Sequence, residues 1–206
     1  MIKNLLFDLG GVIMDIKKDN CVEAFRRLGL TDPDSFFGDY GQQGPFKLIE
    51  EGKITVSDFH DRIRALSSRP LTDAEIDTAF CKFLIGIPVE RLRALAELRH
   101  KYGIYLLSNT NIIMWDATIA DEFRKDGATR EEYFDGIVTS FEAKCLKPAP
   151  EIFEYTIEHL GIKAHETLFF DDSVSNLSGA EALGFRTAHV PAGREFMDII
   201  REMNLA

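Results

Sequence analysis

The sequence predicts an α/β fold, a Rossmann-like parallel sheet core with an inserted helical cap. Short apolar runs alternate with helical patterns along most of the 206 residues, which is typical of parallel strands joined by helices. Most of these runs end in polar residues, as strands do at the sheet edge that binds ligands. One segment near the N-terminus carries helical patterns alone, which indicates an insertion.

Five segments have the apolar pattern of buried parallel strands. The first is Leu5 to Phe7, a continuous apolar run that leads into Asp8 and then a pair of glycines. The other four are 104–107, 136–138, 167–170 and 186–190. Because helical patterns separate them, we expect these strands to pair in one parallel sheet.

The predicted helices between the strands are marked by their terminal residues. The segment 89–102 follows Pro88 and precedes Gly103, and the segment 151–160 is bracketed by proline and glycine in the same way. Proline favours the first turn of a helix, and glycine favours the position just past its end. Both segments are therefore predicted to be helices that cover the sheet.

Residues from about 19 to 85 break the alternation of strand and helix. They include helical patterns over 57–66 and 74–84, and Thr72 with Glu75 forms a capping-box pattern ahead of the second. A helical block between the first two strands would cover the carboxyl edge of the sheet. The predicted domains are a core of residues 1–16 and 86–206 and a cap of residues 17–85.

Charge and cysteine content limit the class of partner. A formal net charge of −10 and a pI near 5.0 disfavour nucleic acid, because binding a phosphate backbone requires a basic face. No apolar stretch reaches the length of a membrane span. The three cysteines are scattered without metal-binding spacing, so we expect reduced thiols and a soluble, cytoplasmic protein. A small phosphorylated metabolite can still bind in a locally positive pocket.

Polar residues follow three of the predicted strands at the point where each strand ends. They are Asp8, Ser108, Asn109, Asp171 and Asp172. The carboxyl ends of parallel strands meet at one edge of the sheet. These side chains, distant in sequence, are therefore expected to converge on one site.

The carboxylates of this set suit phosphoryl transfer. Asp8 can attack phosphorus through one oxygen, forming an aspartyl-phosphate, and can bind Mg²⁺ through the other. Asp171 and Asp172 would supply further oxygen ligands, and two adjacent acids after an apolar run require a nearby cation. The sequence thus predicts a magnesium site at this edge.

Donors for the phosphate oxygens are predicted at the same edge. A transferring phosphoryl group needs hydrogen-bond donors around its equatorial oxygens. Ser108, the backbone of Asn109 and the ammonium group of Lys147 can provide them. Lys147 stands before Pro148, in the loop that precedes a predicted helix.

Four segments together resemble the haloacid dehalogenase-like hydrolases that have a helical cap. They are FDLGGV, LLSNTN, a Lys-Pro pair and FFDDSVSN, which follow one another in the family's order over nearly the whole chain. The resemblance implies a nucleophilic role for Asp8 and metal binding by Asp171 with Asp172 alongside. It also implies phosphate binding by Ser108 and by Lys147, which we further expect to act in catalysis.

Within the family, the sequence looks most similar to bacterial sugar-phosphate phosphatases, particularly those that act on glucose 1-phosphate. One residue departs from the family's pattern. Gly10 stands where most family phosphatases carry a second aspartate, which acts as general acid and base. Its backbone carbonyl can still bind the metal. Without that acid, we expect a preference for leaving groups that tolerate negative charge, such as that of a sugar 1-phosphate.

Each candidate residue also has a purely structural interpretation. Asp8 can cap the following turn, Ser108 and Asn109 can cap the next helix, and Lys147 can be a surface lysine. Asp15 can replace the missing acid, although shaping the strand pair that leads into the cap is the simpler role. The four motifs in combination favour the functional interpretation.

Two other functions remain open at this point. A 2-haloacid dehalogenase attacks carbon with the same aspartate and lacks the second acid, but halide displacement needs no magnesium. A catalytically weak phosphate-binding protein would keep the pocket, and Gly10 would then reflect lost chemistry. Gln42, Gln43 and Lys47 are the cap residues that can face a substrate, although solvent is the default environment for such side chains.

Overall fold

The computed structural model describes residues 1–38 and 42–205, so residues 39–41 of the predicted cap lie outside the described part. Its strands are β1 (Asn4–Phe7), β2 (Asp15–Ile16), β3 (Leu84–Gly86), β4 (Gly103–Ser108), β5 (Gly136–Thr139), β6 (Thr167–Asp171) and β7 (Arg186–His189). Five of them form a parallel sheet in the order β5-β4-β1-β6-β7. The remaining two, β2 and β3, form an antiparallel ladder.

Helices connect the strands and fill the segment between β2 and β3. They are α1 (Lys18–Arg27), α2 (Gly44–Glu50), α3 (Val56–Leu66), α4 (Asp73–Cys81), α5 (Val89–Leu98), α6 (Ile112–Met114), α7 (Ala120–Phe123), α8 (Arg130–Tyr133), α9 (Ser140–Ala143), α10 (Pro150–Leu160), α11 (Val174–Glu181) and α12 (Phe196–Glu202). A π-helical turn, Trp115–Ile119, joins α6 to α7. No helix in the described part of the chain is both long and apolar enough to cross a membrane.

The sheet carries helices on both faces because its strands are apolar on both faces. Leu5 and Phe7 of β1 pack with residues of α5 and α12, whereas Leu6 between them packs on the other face with residues of α10 and α11. Phe7 also stacks on Phe170 of β6, with ring centroids 4.8 Å apart. The result is a three-layer core with β1 at its centre.

The register of the central strands aligns the ends that carry polar residues. Phe7 pairs with Leu106 of β4 on one side and with Phe170 of β6 on the other. The next residue after Phe7 is Asp8, and the next residue after Phe170 is Asp171. Two carboxylates therefore leave the sheet side by side.

The helices between β2 and β3 pack around phenylalanines. Phe46 of α2 lies at the centre, with ring centroids 4.5–5.4 Å from those of Phe25, Phe37, Phe59 and Phe80. Capping boxes begin both α3 and α4, and the second is the one that the sequence predicts. The ladder of β2 and β3 connects the two ends of this helical block to the core.

The predicted fold class is confirmed, and all five predicted strands are present, but two helix limits differ. The helix predicted over 89–102 ends at Leu98, after which turns lead the chain into β4. The prediction that residues 19–85 contain only helices is wrong near residue 85. There, α4 stops at Cys81 and Leu84 pairs with Ile16 in the ladder. Such short strands have too few residues to show a periodicity.

Candidate active site

Three carboxylates cluster at the carboxyl edge of the sheet. Oxygen atoms of Asp8, Asp171 and Asp172 lie within 4.8 Å of one another. Asp8 and Asp171 are buried where β1 and β6 end, and Asp172 is exposed one residue further on. The structure therefore brings together the acids that the sequence predicted to converge.

The ammonium group of Lys147 lies inside this cluster. Its Nζ is 2.8 Å from Oδ1 of Asp8 and 2.7 Å from Oδ2 of Asp171, and it donates to the carbonyl oxygen of Leu107 at 3.1 Å. Only 1% of the Lys147 side chain is exposed. The interpretation of Lys147 as a surface lysine is therefore wrong, because the side chain is a buried cation among carboxylates.

The side chain of Asn109 holds the backbone of Lys147 in place. Oδ1 of Asn109 accepts a hydrogen bond from the Lys147 backbone N–H at 2.9 Å, and Nδ2 donates to the Lys147 carbonyl oxygen at 3.0 Å. This pair of bonds ties the end of β4 to the loop before α10. The sequence predicted Asn109 as a backbone donor for phosphate but did not predict this tether.

Asp171 and Asp172 differ in the surroundings of their carboxylates. Oδ1 of Asp171 accepts a backbone N–H at 2.8 Å and Nδ2 of Asn176 at 3.0 Å, and Oδ2 accepts Lys147. The Asp171 carboxylate is thus fully engaged by the protein, with no exposed surface. The Asp172 carboxylate is exposed and open to a ligand. Asn176 is a further supporting residue that the sequence reasoning missed.

The cluster carries more negative than positive charge. Burial raises the pKa of the Asp8 carboxyl, while Lys147 opposes the shift and the neighbouring acids add to it. Burial lowers the pKa of Lys147, but Asp171 and Asp8 outweigh that effect and leave the pKa raised. Burial also raises the pKa of Asp172, and the charge of Asp171 adds to the shift. Three carboxylates around one ammonium group form a set of hard oxygen donors that fits a second cation such as Mg²⁺.

Ser108 ends β4 next to this cluster. It lines a narrow cavity of about 40 Å³ together with Gly10 and Asn109, and only 2% of the residue is exposed. The next helix is capped by Asn111, whose Oδ1 accepts the backbone N–H of Met114 at 3.0 Å. The interpretation of Ser108 and Asn109 as helix caps is therefore wrong, since that role is taken by another residue.

Gly10 and Gly11 follow Asp8 but impose different limits on a side chain. A Cβ at Gly10 would meet only methyl carbons of Ile16, at 3.4 and 3.5 Å. Gly11 has a φ of +77°, and a Cβ there would collide with the Asp172 carboxylate. The backbone therefore demands glycine at Gly11 but not at Gly10.

A wider pocket of about 330 Å³ lies between this edge and the helical block. Asn109 and Lys147 line it from the core. Gln42, Gln43 and Lys47, the residues expected to be able to face a substrate, line it from the helical block. Gln43 and Lys47 are exposed to solvent within this pocket, whereas Gln42 is half-buried, so solvent exposure and a place in the pocket occur together.

Glu50 of α2 lines both cavities and was not predicted from the sequence. It is buried, and burial raises the pKa of its carboxyl to about 8. A signal for it exists in the sequence, because the apolar residues Phe46 and Ile49 put Glu50 on the buried face of a helix. Glutamate at such a position is uncommon.

Asp15 forms an ion pair outside the carboxylate cluster. Its carboxylate lies 2.8 Å from Arg91, and it pairs with Gly86 in the ladder that leads to the helical block. It lines neither of the two cavities. The predicted role of Asp15 in that strand pair is confirmed, and nothing in its position favours it as a replacement acid.

Known proteins are similar to the whole chain in sequence. A family model described as haloacid dehalogenase-like hydrolase matches residues 2–184. A D-ribitol-5-phosphate phosphatase from Bacteroides thetaiotaomicron is 38% identical over 196 residues, which covers 95% of each chain. The similarity thus extends over the sheet, the helical block and all four motifs.

Solved structures are similar over the same length. A haloacid dehalogenase-type enzyme from Bacteroides thetaiotaomicron, in complex with magnesium and inorganic phosphate, aligns with a TM-score of 0.90 at 39% identity, covering 98% of this chain and all of that one. A predicted hydrolase of the same type from Porphyromonas gingivalis aligns with a TM-score of 0.91 at 30% identity, covering 100% of this chain and 99% of that one. The helical block therefore aligns together with the core.

Proposed function

The chain belongs to the haloacid dehalogenase-like hydrolase family, and on that premise we propose that it is a magnesium-dependent phosphatase of small sugar phosphates. The observation that carries the proposal is the buried ammonium group of Lys147 between Asp8 and Asp171, beside a third carboxylate. Together these groups supply a nucleophile, a phosphate-binding cation and oxygen ligands for Mg²⁺. Displacement of halide from carbon needs no such set of metal ligands, so phosphatase activity is favoured over dehalogenase activity.

Asp8 is the proposed nucleophile. Its carboxylate attacks phosphorus, the alcohol leaves, and water then hydrolyses the aspartyl-phosphate to release phosphate and restore the acid. Lys147, held in place by Asn109, stabilises negative charge on the equatorial oxygens. Ser108 and the backbone N–H of Asn109 are the further proposed donors. Bound Mg²⁺ neutralises charge on the phosphoryl oxygens and on the crowded carboxylates.

The proposed metal ligands are Asp8, the carbonyl oxygen of Gly10 and the acid pair after β6. Within that pair, we propose Asp172 as the direct ligand, because both oxygens of Asp171 already accept hydrogen bonds from the protein. Asp171 then acts mainly by holding Lys147 at the site. This assignment refines the expectation that Asp171 itself is the ligand with Asp172 alongside.

Two sugar phosphates are candidate substrates. Ribitol 5-phosphate is supported by the relative that is 38% identical over nearly the whole chain. Glucose 1-phosphate is supported by Gly10, because its anomeric oxygen is a better leaving group than a primary alcohol and depends less on a general acid. The two esters differ in leaving group, so their relative rates distinguish the two candidates.

We propose that residues 17–85 form a cap over the site and that residues 1–16 and 86–206 form the catalytic core. The ladder of β2 and β3 supports this division, because it connects the two ends of the helical block to the core. The wider pocket supports it as well, because Gln42 and Lys47 line that pocket opposite Lys147. These residues of the cap would then contact the sugar part of the substrate.

The experiment that tests the function is a phosphate-release assay on a panel of sugar and sugar-alcohol phosphates, with Mg²⁺ and with EDTA. We expect release from at least one ester with Mg²⁺, restoration by Mg²⁺ after EDTA, and no release by the Asp8→Asn variant. Release of halide from 2-haloacids, or binding of phosphate esters without any turnover, would instead support one of the two alternative functions.

A further inference from the structure

Given the phosphatase function proposed above, we infer that Glu50 is the general acid that protonates the departing oxygen, in place of the aspartate absent at Gly10. Glu50 ends α2, on the same helical face as the buried Phe46 and Ile49. Only 8% of the residue is exposed. A carboxyl group buried this deeply is uncommon unless it has a partner or a function.

The position of Glu50 relative to the core supports this role. The narrow cavity of about 40 Å³ is lined by Glu50 from the helical block and by Gly10 and Ser108 from the core. That volume is about the size of one water molecule, so these residues surround a small common space. Glu50 also lines the wider pocket that adjoins Lys147. Glu50 therefore borders both the cavity next to Gly10 and the pocket next to Lys147.

The surroundings of Glu50 favour the protonated form of its carboxyl group. Burial raises its pKa to about 8, with hydrogen bonding to Gln42 opposing the shift and the charge of Glu51 adding to it. A general acid works best when its pKa is near the operating pH, and burial of a carboxyl group is a common means of reaching that range.

The titratable groups around Glu50 do not offset the effect of burial on its pKa. Those groups are Lys47 and Glu51 of its own segment, Lys53, Lys144 and Lys147 around the wider pocket, and Cys21 of α1. Lys53 pairs with Glu51 at 2.9 Å, and Lys144 donates to a backbone carbonyl at 3.0 Å. Lys147 is bound within the carboxylate cluster. Burial raises the pKa of the Cys21 thiol, so this thiol is neutral.

A buried acceptor beside Glu50 points to a hydroxylated ligand. Gln42 lines the same two cavities. Its Oε1 atom is buried and has no hydrogen-bond partner in the part of the chain that the structure describes. A buried acceptor without a donor is unfavourable, and a sugar hydroxyl group would satisfy it. Gln42 and Glu50 together suit the polyhydroxylated alcohol of a sugar phosphate.

The proton transfers balance over the two half-reactions. As Asp8 forms its bond to phosphorus, the ester P–O bond breaks, its electron pair passes to the leaving oxygen, and that oxygen takes the proton of Glu50. In the second half, the Glu50 carboxylate accepts a proton from the water that attacks the aspartyl-phosphate. The bond between phosphorus and Asp8 then breaks, which releases inorganic phosphate and returns both acids to their starting states.

The test uses two esters that differ in their need for a proton. In the Glu50→Gln variant, kcat/KM for ribitol 5-phosphate, or for the best primary-alcohol phosphate of the panel, is expected to fall by about 10²–10⁴-fold. Because p-nitrophenolate leaves without protonation, kcat/KM for p-nitrophenyl phosphate should fall by less than about tenfold. The wild-type rate on the alkyl ester should also decline as the pH rises through about 8, the pKa of Glu50.

Glu158→Gln, at an exposed position of α10, is the control and should leave the ratio of the two rates unchanged. Equal losses on both esters in Glu50→Gln would overturn the inference, because a structural role acts on both alike. Wild-type turnover of p-nitrophenyl phosphate but of no alkyl phosphate would also overturn it while leaving a phosphatase in place. Absence of phosphate release from every ester would be a failure of the proposed function itself.

Discussion

Nζ of Lys147 lies 2.8 Å from Oδ1 of Asp8. The same ammonium group is 2.7 Å from Asp171, so one cation joins carboxylates at the ends of two neighbouring strands. All three side chains are buried, where opposite charges attract more strongly than they do in water and where an unpaired charge is costly. The site is therefore coupled to the stability of the fold through Lys147.

Replacing Lys147 by methionine is expected to lower the free energy of unfolding by about 3–5 kcal/mol, because Asp8 and Asp171 lose their shared cation. Urea denaturation in EDTA measures the loss. Adding Mg²⁺ should restore part of the lost free energy of unfolding in the variant. Lys163→Met, at an exposed position, is the control and should change stability by less than about 0.5 kcal/mol. Equal midpoints for the Lys147 variant and the wild type would show that the ion pairs contribute nothing net.

Asp8→Asn should abolish phosphate release and leave the fold intact, since an amide of nearly the same shape cannot form an aspartyl-phosphate. Circular dichroism and a phosphate-release assay separate the two effects. Asp15→Asn is the matched control, because Asp15 lies on the same segment but pairs with Arg91. Its activity should stay within a few fold of wild type. If the Asp8→Asn variant kept its activity and the Asp15→Asn variant lost it, Asp15 rather than Asp8 would be the nucleophile.

Mg²⁺ binding should distinguish the two acids after β6. Asp172→Asn is expected to weaken Mg²⁺ binding more than Asp171→Asn, because the Asp172 carboxylate is open whereas that of Asp171 is engaged by Lys147 and Asn176. Asp171→Asn should instead lower the melting temperature in EDTA. Calorimetric titration with Mg²⁺ and thermal melts report the two effects separately. A larger loss of Mg²⁺ affinity in the Asp171 variant would mean that Asp171 is the direct ligand, as expected from the sequence.

The parallel sheet could be predicted because each strand carries its own signal. Leu5 to Phe7 is apolar throughout, since β1 is buried on both faces, and the polar residue after it marks the strand end. The ladder of β2 and β3 has no comparable signal. It consists of two and three residues, and pairing across 68 positions between Ile16 and Leu84 follows from the tertiary fold.

The candidate site could be predicted only where residues lie at strand ends or in motifs. Asp8 and Asp171 end neighbouring strands, so the topology alone brings them together. The bonds between Asn109 and Lys147 connect loops that are 38 residues apart, and no periodicity encodes them. Glu50 belongs to a helix whose orientation over the sheet depends on packing, so its approach to Gly10 required the structure.

Glu50 should also make stability depend on pH. Its carboxyl has a pKa of about 8 in the folded protein, far above the ordinary value of about 4.3 in an unfolded chain. Between these values the folded state holds a proton that the unfolded state has lost, so its contribution to stability falls as the pH rises. Glu50→Gln removes that contribution. The variant should therefore gain stability relative to wild type between pH 5.5 and pH 8.5, by about 1 kcal/mol or more.

Urea denaturation of both proteins at the two pH values measures this difference, and other titrating groups cancel because both proteins share them. Glu158→Gln is again the control, since Glu158 is exposed on α10. A difference between Glu50→Gln and wild type that is the same at both pH values would mean that Glu50 is ionised in the folded protein at neutral pH.

The last prediction concerns restoring an acid at Gly10. The site can accept a side chain, because a Cβ there would meet only Ile16 methyl carbons at ordinary contact distance. In the Glu50→Gln background, Gly10→Asp is expected to raise kcat/KM for a primary-alcohol phosphate by about tenfold or more, since the new carboxyl can protonate the leaving oxygen. The gain for glucose 1-phosphate should be smaller, because its leaving group needs less assistance.

In the wild-type background, the same Gly10→Asp change should alter either rate by no more than a few fold, because Glu50 already supplies the proton. A large gain for the primary-alcohol phosphate in that background would mean that no acid acts in the natural enzyme and that substrates with good leaving groups are its targets. Gly11→Asp is the contrasting variant. Its backbone conformation and the nearby Asp172 carboxylate exclude a side chain, so this protein should lose stability and gain no activity on either ester.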